Sequence, residues 1–254
     1  ISRLIELHDK GLLQAATSAE MTSAIPAQYR ASDDTWYALT TRVRNIYSAK
    51  RLGKIDFNYE DLADKKWQGK ICTRSGKHPY NVALVASMIA EHGEADTLTW
   101  LEKVKANLAR KPQGSDRAQV QAIHQNLCDL SLGNSYYFGN MLKDEKQKVW
   151  ADAVYINFPN QNNRGAHVNI SGMAMAKYAP NQSNALALMN FLVSEPAQKM
   201  YAETNMEYPV RPGVEPSKLV KSWGQFKADN LSLETIAQQR KAALILLDKA
   251  QFDL

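Results

Sequence analysis

Segments with a helical pattern alternate with strand-like segments along this chain of 254 residues, and this alternation constrains the fold more than any other feature. It is typical of α/β architectures, in which helices cover a sheet of mainly parallel strands. Ligands of such sheets bind at the carboxyl ends of strands. The helical pattern covers residues 2–10, 80–92, 96–109, 116–126, 183–193, 197–203 and 233–249. The strand-like segments are 36–47, 70–73, 129–132, 153–158 and 167–176.

The composition is that of an ordinary globular chain, with 44% hydrophobic and 22% charged residues, and no apolar run approaches the ~20 residues of a membrane span. The formal charge of +5 comes from 31 basic and 26 acidic residues that are interleaved rather than clustered. We therefore expect a mild preference for anions and no nucleic-acid binding. The sequence contains no phosphate-binding loop, dinucleotide fingerprint, zinc-protease motif or nucleophile elbow, which argues against an enzyme.

Tyr136 and Tyr137 are adjacent in the segment Gly-Asn-Ser-Tyr-Tyr-Phe at 133–138. A phenol ionises near pH ~10, but a tightly bound cation holds its oxygen as phenolate, so two neighbouring phenols suit a hard, highly charged ion such as ferric iron. Adjacent residues on a strand face opposite sides, so both oxygens reach one ion only where a strand ends and a turn or helix begins. On spacing alone, a half-buried aromatic step with solvated hydroxyls is the commoner interpretation.

A second candidate site follows the strand-like segment 70–73. Ser75 and Gly76 precede Pro79, which suits the first turn of a helix, so free backbone amides at this point form a natural anion site. Tyr80 lies in the first turn of the predicted helix, and we expect its phenol to share a crevice with Tyr136. The alternative is an ordinary strand-to-helix turn with an exposed tyrosine.

The two cysteines, Cys72 and Cys128, each lie at a short strand-like segment. Neighbouring strands bring such residues within disulfide distance. Two cysteines without a Cys-x-x-Cys motif or a Cys/His cluster argue against zinc and leave either one disulfide or two buried thiols. We predict the disulfide, which implies an oxidising compartment.

An ordered series of motifs runs from the first part of the chain to near its end. The motifs are Trp-Tyr-Ala-Leu-Thr-Thr-Arg-Val-Arg at 36–44, Ile-Cys-Thr-Arg-Ser at 71–75, Tyr-Asn at 80–81, Cys-Asp at 128–129, Gly-Asn-Ser-Tyr-Tyr at 133–137, Gly-Ala-His-Val-Asn-Ile-Ser-Gly at 165–172 and Glu-Tyr-Pro-Val at 207–210. In this order the motifs resemble the periplasmic ferric-ion-binding proteins of bacterial ABC iron importers. The series is more specific than any one motif alone.

The resemblance implies an α/β, two-lobed, class II type periplasmic binding-protein fold that closes on Fe(III) in an interlobe cleft. In the branch of the family with three tyrosine ligands, the phenolates correspond here to Tyr80, Tyr136 and Tyr137.

The resemblance also implies a small synergistic anion beside the iron, which is carbonate in several members. Its contacts here would be Arg42, with Ser75, Gly76 and Asn134 as weaker candidates. The alternative for Arg42 is an ion pair at the surface or between the lobes.

The lobe boundaries follow from the same resemblance. Residues 1–42 and 167–217 would form the N-terminal lobe, residues 43–166 and 218–254 the C-terminal lobe, and the crossovers would lie near 42–44 and 166–170. The opening strand, helix and strand of family members have no counterpart in this sequence. We therefore expect residue 1 to correspond to an internal point of a whole family member, with the N-terminal lobe incomplete.

The implied function is capture and not catalysis. Such a carrier is secreted to the periplasm through a signal peptide that this chain does not include, acts as a monomer, and docks on an inner-membrane ABC permease with its ATPase. It binds no nucleic acid and meets the membrane only through the permease. The alternatives are a carrier of the same fold for thiamine, a phosphonate or an oxyanion, or an enzyme that uses a tyrosine base beside Arg42. Tyr80 at the matching position favours iron.

Overall fold

The computed structural model describes residues 2–254, with only the backbone described for Ser2 and Arg3. The chain divides into two compact units. The first unit comprises the chain up to Arg42, Asn169–Gly224 and Ser232–Ala237, and the second comprises Val43–Val168, Gln225–Leu231 and Gln238–Leu254. Over the described residues, we find no helix that is both long and apolar enough to cross a membrane.

Strands and helices alternate along most of the chain. The strands are β1 (Leu13–Gln14), β2 (Trp36–Ala49), β3 (Ile71–Cys72), β4 (Leu130–Asn134), β5 (Val154–Asn157), β6 (Val168–Ala176) and β7 (Tyr208–Pro209). The α-helices are α1 (Ser2–Asp9), α2 (Ala19–Ala24), α3 (Pro79–Ala106), α4 (Asp116–His124), α5 (Ser135–Lys143), α6 (Lys148–Ala151), α7 (Gln182–Leu192), α8 (Glu195–Asn205), α9 (Lys218–Lys221), α10 (Leu233–Gln238) and α11 (Arg240–Lys249). Short 3-10 helices lie at Ala27–Tyr29, Lys50–Leu52, Glu60–Ala63 and Lys65–Trp67.

The core of the first unit forms around the first half of β2. Trp36 and Tyr37 are almost completely buried and pack with Met21, Ile170 and Val193. In this unit β1 pairs antiparallel with β6, and β7 pairs antiparallel with β2. Burial of these large side chains is the main favourable contribution to folding of the unit.

The second unit forms around the second half of β2. Here β2 pairs antiparallel with β4 and with β5, whereas β3 and β4 pair parallel, with Ile71 opposite Leu130. The expectation of mainly parallel strands is therefore wrong for the pairings described. Alternating helices and strands specify crossover connections, such as that from β3 through α3 and α4 to β4, but they do not specify which strands become neighbours.

Two predicted helix boundaries also need correction. The predicted helices 80–92 and 96–109 are the two halves of α3, which continues through a kink at Gly93, where φ is 79°. Glycine adopts this angle at no steric cost, so the glycine at position 93 accounts for the kink. Conversely, the predicted helix 233–249 is interrupted between α10 and α11. Ile236 of α10 is buried in the first unit and Leu246 of α11 in the second, so the two apolar faces serve different cores.

The predicted disulfide is confirmed, because Cys72 and Cys128 are bonded with their Cα atoms 5.9 Å apart. Cys72 ends β3, and Cys128 lies just before β4. The bond therefore links the last residue of β3 to the segment just before β4.

Removing this disulfide is expected to destabilise the second unit. In the Cys72→Ala/Cys128→Ala variant the unfolded chain regains the freedom of a loop that spans 56 residues, so the free energy of unfolding should fall by about 2–4 kcal/mol. Urea unfolding followed by circular dichroism measures the change. A reductant should lower the urea midpoint of the wild type and leave the double variant unaffected. Equal midpoints for the reduced and oxidised wild type would contradict the prediction.

Candidate metal centre

Two helix starts meet at one edge of the sheet in the second unit. Because β3 and β4 run parallel, their carboxyl ends lie at the same edge. A loop connects β3 to α3, whereas β4 leads directly into α5. Tyr80 is the second residue of α3, whereas Tyr136 and Tyr137 are the second and third residues of α5. The expectation that the tyrosine pair lies where a strand ends and a helix begins is thus confirmed.

The phenols of the three tyrosines form one hydrogen-bonded cluster. The hydroxyl oxygens of Tyr80 and Tyr136 are 3.2 Å apart. Tyr136 also hydrogen-bonds to the side chain of Tyr137, and the centroids of these two rings are 4.2 Å apart. Burial, followed by the hydrogen bonds from its two neighbours, raises the pKa of the Tyr136 phenol well above its usual value. Without a cation this phenol therefore keeps its proton.

The first turn of α3 is capped by a neutral histidine. The imidazole of His78 accepts a hydrogen bond from the backbone amide of Tyr80, at 3.3 Å, and packs edge-on against the ring of Tyr80, with centroids 4.5 Å apart. Burial, followed by the positive charge of Arg74, lowers the pKa of His78 to about 4. The ring is therefore uncharged at neutral pH and can act as the acceptor that the amide needs.

A buried ion pair underlies the cluster. Arg44 on β2 donates to the carboxylate of Asp116 at 2.6 Å, to the side-chain oxygen of Asn81 at 2.6 Å and to that of Asn134 at 3.1 Å. Asp116 in turn accepts the backbone amide of Asn134 at 2.9 Å. Both charged side chains are at most 2% exposed, so one guanidinium fixes β2, the starts of α3 and α4 and the end of β4 in a single arrangement.

Guanidinium groups surround the phenol cluster. The Cζ atoms of Arg74 and Arg44 lie 5.3 Å and 5.9 Å from the centroid of the Tyr80 ring. Arg117 lies 5.7 Å from the centroid of the Tyr137 ring. These charges attract the electron-rich ring faces of Tyr80 and Tyr137 and help to hold the two rings in place.

Close packing sets the position of the residues before α5. A Cβ atom on Gly133 would lie 2.3 Å from the ring of Tyr47, so only glycine fits at this point of β4. The same tyrosine donates a hydrogen bond from its hydroxyl to the carbonyl of Asn134, at 2.8 Å. Backbone and ring therefore fit together where β4 turns into α5.

The residues predicted to contact an anion all have protein partners in this structure. Asn134 is buried and accepts from Arg44, as described above. The Ser75 hydroxyl donates to the carboxylate of Asp253 at 2.7 Å, and the backbone amide of Gly76 donates to the same carboxylate at 2.6 Å. The anion site expected at the start of α3 thus holds a carboxylate of the protein itself.

Arg42 belongs to the first unit, where it lies on β2. Its guanidinium donates to the hydroxyl of Ser171 at 2.5 Å and lies 3.6 Å from the carboxylate of Glu207. Ser171 donates to the same carboxylate at 3.0 Å, and Thr40 donates to it as well. Arg42 therefore forms an ion pair, but this pair lies within the first unit and is largely buried, not at the surface or between the lobes as the alternative had it.

Sequence reasoning missed the ion pair of Arg44 and Asp116 and the contacts of Arg117 and Asp253. A signal for Arg44 exists, because a charged residue in the otherwise uncharged second half of β2 needs a buried partner. The remaining contacts join residues far apart in the chain, and no local pattern marks them. Across residues 2–254, no group of three or more His, Cys, Asp or Glu side chains is placed to hold a metal ion.

The sequence of this chain matches the model of a known protein family. The family model described as bacterial extracellular solute-binding protein matches residues 4–227. The chain belongs to this family. This chain is 40% identical to Iron uptake protein A1 of Synechocystis, in an alignment that covers 98% of this chain and 71% of the relative.

Two solved structures with similar folds are also those of proteins that bind iron. The apo ferric ion-binding protein A of Pasteurella haemolytica superposes with a TM-score of 0.97 at 52% identity, covering 100% of this solute-binding protein and 80% of that chain. A Trichodesmium protein (IdiA, FutA) solved with iron and citrate superposes with a TM-score of 0.95 at 37% identity. The superposition covers 99% of this chain and 81% of the Trichodesmium chain. These similarities confirm the predicted fold and the resemblance to ferric-binding proteins. They also support a binding protein rather than an enzyme.

The buried ion pair of this solute-binding protein generates a stability prediction. Asp116→Ala leaves the Arg44 guanidinium buried without its carboxylate, so the free energy of unfolding should fall by about 3–5 kcal/mol in urea titrations. Asp152 provides the control, since it forms an exposed pair with Lys148 at 2.7 Å. Asp152→Ala should cost no more than about 1 kcal/mol. Similar small losses in the two variants would show that the buried pair does not organise this region.

Proposed function

We propose that this protein captures ferric iron in the periplasm through the phenolates of Tyr80, Tyr136 and Tyr137 and delivers it to an inner-membrane ABC importer. The observation that carries the proposal is the hydrogen-bonded cluster of three phenols, in which the oxygens of Tyr80 and Tyr136 are 3.2 Å apart. Three phenolates together balance the charge of Fe(III). An ion at the cluster would replace the protons that the phenols share.

The name of one similar protein and the ligands bound in one similar structure support this proposal. The similar proteins include one named Major ferric iron-binding protein, from Neisseria meningitidis, and the Trichodesmium structure contains iron and citrate. The disulfide between Cys72 and Cys128 fits an oxidising compartment such as the periplasm. Delivery to a permease and its ATPase is part of the proposal because the family is one of extracellular solute-binding proteins.

The accompanying anion is a further part of the proposal. Carbonate and citrate are the two candidates, the second because the Trichodesmium structure contains it. That Arg42, Ser75, Gly76 and Asn134 hold this anion stays a prediction, and each of these groups would have to exchange or share its present partner.

Ferric phenolate complexes absorb visible light, so binding of iron should colour the protein. Addition of ferric citrate to the wild type should produce a charge-transfer band. Tyr136→Phe removes a ligand and should weaken binding by more than the ~10–100-fold that loss of a group supporting a ligand typically costs. Competition with free citrate, followed at this band, measures the affinity.

Tyr155→Phe is the matched control. Tyr155 is a half-buried tyrosine of the same unit on β5, where its ring lies 5.7 Å from the ammonium of Lys50. This variant should keep the colour and affinity of the wild type. A wild type that stays colourless, or a Tyr136→Phe variant that binds iron as the wild type does, would rule the proposal out.

Iron binding should release protons from the protein. Because burial raises the pKa of the Tyr136 phenol, this group is protonated at neutral pH and must lose its proton to become a ligand. Each proton released lowers the apparent affinity by about tenfold for each unit by which the pH falls. Protons released into weakly buffered solution can be counted directly, with a ferric citrate blank subtracted. Wild type should release about one proton more than Tyr136→Phe, and equal release would exclude Tyr136 as a phenolate ligand.

A further inference from the structure

A carboxylate from the last part of the chain sits at the start of α3. Asp253 follows α11 and accepts three hydrogen bonds from the connection between β3 and α3. The donors are the Ser75 hydroxyl at 2.7 Å, the Gly76 amide at 2.6 Å and the Lys77 amide at 3.5 Å. Two successive backbone amides and a hydroxyl around one carboxylate are the arrangement that proteins use to bind anions.

Apolar packing holds the carboxylate in this position. A Cβ atom on Gly76 would lie 2.7 Å from Cδ1 of Phe252 and 2.8 Å from Cδ2 of Leu247. Phe252 is 6% exposed, and it directly precedes the carboxylate in the chain. The missing side chain of Gly76 therefore lets the segment after α11 lie against the loop, with its carboxylate facing the amides.

The loop joins Asp253 to the proposed iron ligand in a few steps. The carbonyl of Ser75 accepts the amide of His78 at 3.1 Å and the side-chain amide of Asn81 at 3.1 Å. His78 accepts the backbone amide of Tyr80. The loop is thus held on one side by Asp253 and on the other by the first turn of α3, so a displacement of the loop also displaces the residue that caps Tyr80.

We infer that Asp253 is the resident anion of the α3 start and a positioning residue for the phenol of Tyr80. This inference rests on the proposed function, since it assigns to Asp253 the alignment of a proposed iron ligand. It also assigns two roles to two different anions: one fills the start of α3, and the other accompanies the iron. The start of α3 is filled from within the chain, so this inference replaces the prediction that Ser75 and Gly76 hold an anion that arrives with the iron. Of the predicted contacts, Arg42 and Asn134 are left for that anion.

The first experiment needs no iron. Hydrogen exchange of the peptide that contains residues 73–82 is measured for the wild type, Asp253→Ala and Asp248→Asn. Asp248 pairs with Lys77 at 2.5 Å and its side chain is 65% exposed, so it is a control from the same segment. We expect faster exchange in Asp253→Ala alone. Excess formate should restore protection, because it replaces the carboxylate that the substitution removes, and it should not affect the wild type.

The second experiment measures iron. Affinity from the charge-transfer band, in competition with citrate, should fall about 10–100-fold in Asp253→Ala and stay unchanged in Asp248→Asn. If Asp253 positions the Tyr80 phenol, the maximum of the charge-transfer band should also shift in Asp253→Ala. A loss of stability alone would not shift this maximum. Should Asp253→Ala fail to fold, Asp253→Asn keeps the shape and removes the charge, and it should show the same changes to a smaller extent.

The outcomes separate the two claims. Wild-type exchange rates in the folded Asp253 variants, or no protection by formate, would overturn the assignment of a resident anion. Faster exchange with wild-type iron affinity and band maximum would overturn the positioning role. If the wild type itself does not bind ferric iron, the proposed function fails and the positioning role fails with it, while the exchange experiment still decides whether Asp253 fills the anion site.

Discussion

The second unit depends on a guanidinium that has been removed from water. Arg44 is 2% exposed, and a charge in such a place is tolerated only when its hydrogen bonds are met by partners held in place. Those partners are Asp116, Asn81 and Asn134, which stand at the starts of α4 and α3 and at the end of β4. The requirements of one side chain therefore determine where three elements come together. Tyr80 directly precedes Asn81, and Tyr136 follows Asn134 by two residues, so the same partners of Arg44 also fix the positions of the two phenols.

The phenol cluster combines burial with neighbouring positive charges. Burial disfavours phenolate, and it raises the pKa of Tyr136 while no cation is present. The guanidiniums of Arg44 and Arg74 lie beside the ring of Tyr80, and that of Arg117 lies beside the ring of Tyr137, where they attract the ring faces. A site of this kind holds protons when empty and exchanges them for a cation. Neutral His78 and the carboxylate of Asp253 add hydrogen bonds to the same connection without placing a positive charge on it.

Much of the local structure could be predicted from the sequence. The kink at Gly93 coincides with the gap between two predicted helices, and the tyrosine pair lies at the strand-to-helix junction required by the alternation of side chains on a strand. Strand direction could not be predicted, because β2 pairs with β4 and β5 by contacts between segments distant in the chain. The same reason hides the contact of Asp253 with Gly76, since 177 positions separate these residues and neither belongs to a pattern that includes the other.

By itself, the sequence determined the alternation of helices and strands, the chemical character of the tyrosine pair and the family to which the motifs point, because these depend on residue type and local spacing. Only the tertiary structure decided which groups surround the phenols. It paired Arg44 with Asp116 and filled the start of α3 with Asp253. The physical reason is that burial removes water as a partner, so a buried polar group is stabilised by a partner within the fold, and that partner can come from any part of the chain.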